Sequence, residues 1–177
     1  MSGITCEQME VDTFNTKYHT LNDSWVLWAH LPHDTDWTIS SYKKVSEINC
    51  VESIIEFENA IPDIMIKNCM IFCMRKGILP TWEDPNNRDG GSFSFKINNS
   101  DIYEIWKEIS ITLMTEMLMK DEVMNKSISG ITVSPKKNFC ILKIWMRGVD
   151  VQNIKLFNLP DRVDTKSTIF RKHVPED

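Results

Sequence analysis

Gly77-Ile-Leu-Pro80-Thr-Trp82-Glu83-Asp84-Pro-Asn-Asn-Arg-Asp-Gly90-Gly91-Ser-Phe93-Ser-Phe-Lys-Ile97 reads as a long loop running into a strand. Ahead of it, Cys69 to Met74 is an apolar run of strand length. Behind it, Asp101 and Glu104 have the spacing of a capping box, followed by Ile102, Ile105, Trp106, Ile109, Leu113 and Met117 at helical period. Strand, loop, strand and helix thus follow one another without the regular alternation of a parallel sheet. Working outward gives the same picture. Trp25-Val-Leu-Trp-Ala-His-Leu31 is β-rich and bounded by Asp23-Ser24 and Pro32. A more polar strand is expected over Tyr42 to Ile48. Asn49 and Glu52 form another capping-box pair, opening a helix that Pro62 ends. Downstream, Gly130 to Val133 and Phe139 to Met146 are strands around a turn at Pro135-Lys136-Lys137-Asn138. A short helix near Val151 to Leu156 and a last strand near Thr168 to Lys172 complete the reading. The class is α+β with a mainly antiparallel sheet.

At 177 residues the chain suits one domain over residues 19–177, after a polar, unpatterned stretch over residues 1–18 that reads as a flexible tail. A composition of 42% hydrophobic and 25% charged residues excludes disorder for most of the chain. No apolar run approaches the roughly 20 residues that span a bilayer. The opening MSGITCEQMEVD has no basic region leading into an apolar one, so no signal peptide is expected. Five cysteines at irregular spacings fit free thiols of a reducing compartment, and the expected location is cytoplasmic. A net charge of -5 excludes a general nucleic-acid coat protein and permits only a local basic patch.

Signatures of catalysis are missing: there is no phosphate loop, no His-Glu-x-x-His and no Gly-x-Ser-x-Gly. Cys69 and Cys73 would share one face of a strand, without the second pair that a zinc site needs, and read as structural thiols. No cofactor, metal site or catalytic residue is expected. Two loop tryptophans, Trp37 and Trp82, lie outside apolar surroundings. Each could pack on its own loop. Together, with Glu83 beside Trp82, they could hold a flat cationic ring, the indole faces attracting its charge and the carboxylate accepting from its edge. Lys136, Lys137, Lys143 and Arg147 form a basic segment without an acid, either a solvated strand edge or a phosphate clamp.

These residues run in the order His19-x-Leu21, Trp25-x-Leu27-Trp28, Trp37, Gly77-Ile-x-Pro80-x-Trp82-Glu83-Asp84, Gly90-Gly91, Trp106 and Gly130, then Ile144-Trp145. From about His19 to Arg147 the chain resembles the translation initiation factor 4E family, the eukaryotic messenger-RNA cap-binding proteins. The resemblance implies a curved, mainly antiparallel sheet with helices on its convex face and a cap slot on its concave face. It further implies that Trp37 and Trp82 sandwich the 7-methylguanine, that Glu83 accepts from the guanine N1 and N2, and that Trp145 lies near the methyl group. Lys136 stands where the family has a phosphate-binding arginine. Ile141 occupies the second basic position, and Lys143, two residues on and on the same face, is the expected substitute. The last residues, from Arg147 on, depart from the family, with His173 as a candidate at the phosphate rim.

On the convex face the family anchors a partner helix carrying Tyr-x-x-x-x-Leu on a tryptophan. Here that position is Ile55, with Val51 one turn before it. Lys107 stands where leucine is usual and Thr115 where glycine is, while Glu108 is kept and Ile111 lies alongside. A lysine beside the patch disfavours an apolar insert. The expectation is weak binding of standard initiation factor 4G peptides and a dedicated scaffold or regulatory partner on Val51, Ile55, Lys107, Glu108 and Ile111. Function is thus expected to be binding of capped messenger RNA by a monomer, in translation initiation or its regulation. The alternative from another class is a decapping-type hydrolase, which would need a cluster of carboxylates around a metal.

Overall fold

A computed structural model describes residues 18–174. All but Tyr18 of the expected flexible tail therefore lies outside the described residues. Seven strands form one open, curved sheet: β1 (Thr20–His30), β2 (Lys43–Cys50), β3 (Met70–Arg75), β4 (Gly91–Asn98), β5 (Ile128–Pro135), β6 (Phe139–Met146) and β7 (Ile169–Lys172). Their order is β2-β1-β3-β5-β6-β4-β7, and every pair is antiparallel. The helices are α1 (Val51–Ala60), α2 (Asp63–Asn68) and α3 (Ile102–Met114).

Alternation along each strand divides the sheet into two faces. Leu27, Ile71, Cys73, Phe93, Phe95, Leu142 and Ile144 join Ile54, Phe57, Ile105, Trp106 and Ile109 of the helices in the main core on the convex side. Phe72, Met74, Ile78 and Trp145 form a smaller cluster on the concave side, with Trp28, Tyr42 and Met70 packed against it. Trp25 and Trp106 are buried in the main core, and Trp28 packs against the concave cluster. Glu58 of α1, buried where the helices meet, accepts from the Ser110 hydroxyl of α3 at 2.7 Å. Burial pushes its carboxyl up against the lowering effect of Ser110.

The helix starts differ from expectation. The α1 cap is Cys50, one residue after Asn49, and Ser53 Oγ accepts from the backbone N–H groups of Cys50 (3.1 Å) and Asn49 (3.2 Å). Glu52 instead accepts from the His19 backbone N–H at 3.1 Å, while its second oxygen lies 2.7 Å from that residue's ring Nδ1. The ring contact, the larger effect, holds the Glu52 carboxyl down at about 2. Asp101 caps α3 by position only, because its backbone is already helical (φ −107°, ψ −16°) and its side chain makes no cap bond. At the other end Glu116 turns the chain at φ 58°, so Met117 leaves the apolar stripe and is exposed. Cys69 caps the end of α2 and does not share the β3 face with buried Cys73; Cys50, Cys69, Cys73 and Cys140 are all free thiols.

Candidate ligand slot on the concave face

Two loops carry the exposed tryptophans, and each is braced by its own acids. Between β1 and β2, Asp36 accepts from the Thr38 backbone N–H (2.8 Å) and hydroxyl (3.0 Å). These bonds hold the Asp36 carboxyl below its usual value, the backbone bond most strongly. His30 Nε2–H donates to the Asp36 carbonyl at 2.8 Å, and its ring stacks on Trp37 at 4.3 Å with an interplanar angle of 1°. Between β3 and β4, buried Asp84 accepts from the backbone N–H groups of Leu79 (2.9 Å) and Asn86 (2.8 Å). The Asn87 side chain, fully buried, donates to the carbonyls of Leu79 (3.0 Å) and Thr81 (2.8 Å). The loop closes at Gly90-Gly91, where a Cβ would lie 1.8 Å from the Met146 carbonyl oxygen or 2.5 Å from the Phe170 ring. Only glycine admits those neighbours.

The result is a slot. Trp37, Trp82, Glu83 and Trp145 line one cavity of about 220 Å³, with Tyr42, Met70, Phe72, Pro80 and Thr81. Trp37 and Trp82 are 57% and 48% exposed, so two large apolar rings stand open to solvent at its mouth, whereas Trp145 forms part of the floor at 8%. Tyr42, which sequence reasoning passed over as a strand start, is a wall residue. Burial raises its hydroxyl pKa, and the Glu83 carboxylate adds to the rise, so Glu83 bears directly on the slot.

The cations fall beside the slot rather than in it. Lys143 shares the concave face of β6 with Trp145 and is half-buried. Burial lowers its pKa, and Lys136 and Arg171 lower it further, so three positive charges act on one another here. Arg171 was not singled out from the sequence. The register of β7 on β4 brings it opposite Ser92, which is itself opposite Trp145. His173 follows: its ring lies 4.8 Å from that of Trp145, and its Nδ1–H donates to the Asn87 carbonyl at 2.7 Å. Burial lowers its pKa. Among the described residues no group of three His, Cys, Asp or Glu side chains is disposed to hold a metal ion.

On the convex side Val51, Ile55 and Ile111 are exposed, at 39%, 57% and 39%. Lys107 Nζ lies 5.3 Å from the Tyr103 ring centroid, and Glu108 is 3.7 Å from Arg162. None of these five residues touches the slot.

The chain is 28% identical over 138 residues to Eukaryotic translation initiation factor 4E of Eremothecium gossypii, covering 74% of this chain and 64% of that protein. It is 48% identical over 61 residues to the Eukaryotic translation initiation factor 4E homolog of Acanthamoeba polyphaga mimivirus, covering 34% of this chain and 22% of that protein. The match thus spans less than two thirds of either relative. Among solved structures, the complex of C. elegans eIF4E-3 with the 4E-binding protein Mextli and cap analog superposes with a TM-score of 0.74 at 20% identity, covering 89% of this chain and 94% of that one. Ascaris suum eIF4E-3 with m7G cap gives 0.67 at 21% identity, covering 76% of each chain. At such identities the likeness is one of fold. The Eukaryotic initiation factor 4E family model, however, matches residues 20–165, most of the chain and every lining residue of the slot, and the chain belongs to that family.

Proposed function

We propose that residues 19–177 form a single domain that binds the 7-methylguanosine cap of messenger RNA without cleaving it, acting in the cytoplasm in translation initiation or its regulation. The observation that carries this reading is the convergence of Trp37, Trp82 and Glu83 on one cavity. Methylation at N7 makes the purine cationic, so stacking between two indoles gains a charge term that guanine lacks. Glu83 is the acceptor for the ring's N1 and N2 donors, and Trp145 lies beside the methyl group. Relatives of the same fold were solved with m7G cap and with m7GpppG. A hydrolase would need carboxylates free to hold a metal. Asp84, the neighbour of Glu83, is buried and spends both oxygens on its own loop. Titration of the protein with 7-methylguanosine triphosphate, followed by tryptophan quenching, tests the reading; release of nucleotide from a cap dinucleotide with magnesium would overturn it.

Lys136 and Lys143 are assigned to the phosphate bridge. Lys136→Ala or Lys143→Ala should weaken binding of the triphosphate more than that of 7-methylguanosine. Each should also flatten the dependence of log K on log salt by roughly 0.7 for every phosphate that is no longer neutralised. Equal losses for nucleoside and nucleotide would return both lysines to a role in the fold.

The convex patch of Val51, Ile55, Lys107, Glu108 and Ile111 is assigned to a dedicated protein partner. The C. elegans and Schistosome relatives were solved with 4E-binding proteins. With isoleucine for the family's tryptophan and a lysine alongside, a standard Tyr-x-x-x-x-Leu peptide should bind weakly or not at all. Calorimetric titration checks this, and sub-micromolar affinity would refute it.

A further inference from the structure

A second hollow, of about 580 Å³, adjoins the slot and shares Trp37 and Met70 with it. The end of β1 with the loop after it, the end of α2, Asn99 and the β5–β6 turn form its walls. Its charged lining is one-sided: Lys67, Lys136 and Lys137 face it, against Asp34 alone. Asp34 is already engaged, accepting from the Asp36 backbone N–H at 3.0 Å. Lys67 reaches Asp63 on its own helix at 2.6 Å, but both side chains are substantially exposed and such a pair exchanges partners at little cost. The side chains of Lys136 and Lys137 have no hydrogen bond or ion pair among the described residues. Across the turn Lys136 adds to the effect of burial in lowering the pKa of Lys143, so the charges of these two lysines act on one another.

A chain with net charge -5 that gathers three lysines around one concavity, two of them without a side-chain partner among the described residues, is equipped for an anion. Continuity with the slot says which one. A capped RNA leaves its cap as a polyanion, and the hollow that shares a wall with the slot is where that polyanion meets uncompensated positive charge. We infer that the ribose-phosphate chain of the first nucleotides after the cap runs through this hollow, its phosphates neutralised by Lys137 and Lys67 beyond Lys136. The inference rests on the cap-binding reading above.

The test compares the parent protein with a Lys67→Ala/Lys137→Ala variant, each titrated with 7-methylguanosine triphosphate and with a short capped RNA. The parent should bind the capped RNA more tightly than the triphosphate. The variant should keep the parent's affinity for the triphosphate and lose that advantage. Its capped-RNA affinity should also respond less to salt, by about two- to threefold between about 50 and about 200 mM for every phosphate left without its lysine. Capped RNA that binds the parent no better than the triphosphate overturns the inference and leaves the slot intact. So does a variant with the parent's salt dependence, or one that loses triphosphate and RNA in step. A parent that fails to bind the triphosphate at all brings down the cap reading itself, and this inference with it.

Discussion

Trp37→Ala and Trp82→Ala should each weaken binding of 7-methylguanosine triphosphate by about 1–3 kcal/mol. Both rings line the slot and both are about half exposed, so neither truncation opens the main core, and only Trp37→Ala removes a ring contact, the stack on His30. The loss should fall on the ligand and not on the fold, and thermal unfolding of the free variants should stay close to that of the parent. Because the cationic character of the ring contributes, the preference for methylated over unmethylated guanosine triphosphate should shrink in both variants. Glu83→Ala should lose a comparable amount by a different route, since a charged acceptor is worth about 1.5–3 kcal/mol. Fluorescence titration of the three variants decides the matter. Parent-like affinity in both tryptophan variants would mean that the ring is held elsewhere.

The largest effect on stability is expected at Arg75. Its guanidinium, 4% exposed, lies 4.4 Å from the Trp25 ring centroid and places all five N–H donors. Nε donates to the Ile128 carbonyl at 3.1 Å. Nη1 donates to Asp23 (2.7 Å) and Glu116 (2.5 Å), and Nη2 to Glu116 (3.2 Å) and the Asn125 carbonyl (3.0 Å). Glu116→Ala strands a buried cation with one partly exposed acid, which should cost about 3–5 kcal/mol. For a domain of this size that is a fall in Tm of roughly 6–20 °C. Arg75→Met, which removes the charge that needs a partner, should cost less than Glu116→Ala. The reverse order in denaturant melts would show that the pair is held by packing alone.

How far the sequence reached depends on the range of the interaction. Strands and helices declared themselves through local period, and on α1 the helical period separates buried Ile54 and Phe57 from exposed Val51 and Ile55. The slot was legible because Trp37, Trp82 and Glu83 are odd in composition as well as in position. What escaped was register and long-range pairing. Arg75 is the residue after the expected run Cys69 to Met74, and its acids come from 52 and 41 positions away. Arg171 meets its neighbours only through the pairing of β7 on β4, which no local pattern encodes. The start of α1 was missed by one residue, because Ser53 Oγ, and not the Glu52 carboxylate, accepts from the Asn49 N–H and takes the Cys50 N–H as well.

The stack of His30 on Trp37 makes the two sides of the slot unequal in entropy. Trp37 is held flat from behind, on a loop that Asp36 fixes, so its rotamer freedom has already been given up in folding. Trp82 has no ring contact among the described residues and still has that freedom to lose. A ligand would therefore meet one preorganised wall and one that orders around it. Affinity of the arriving ring is then limited by the side that moves.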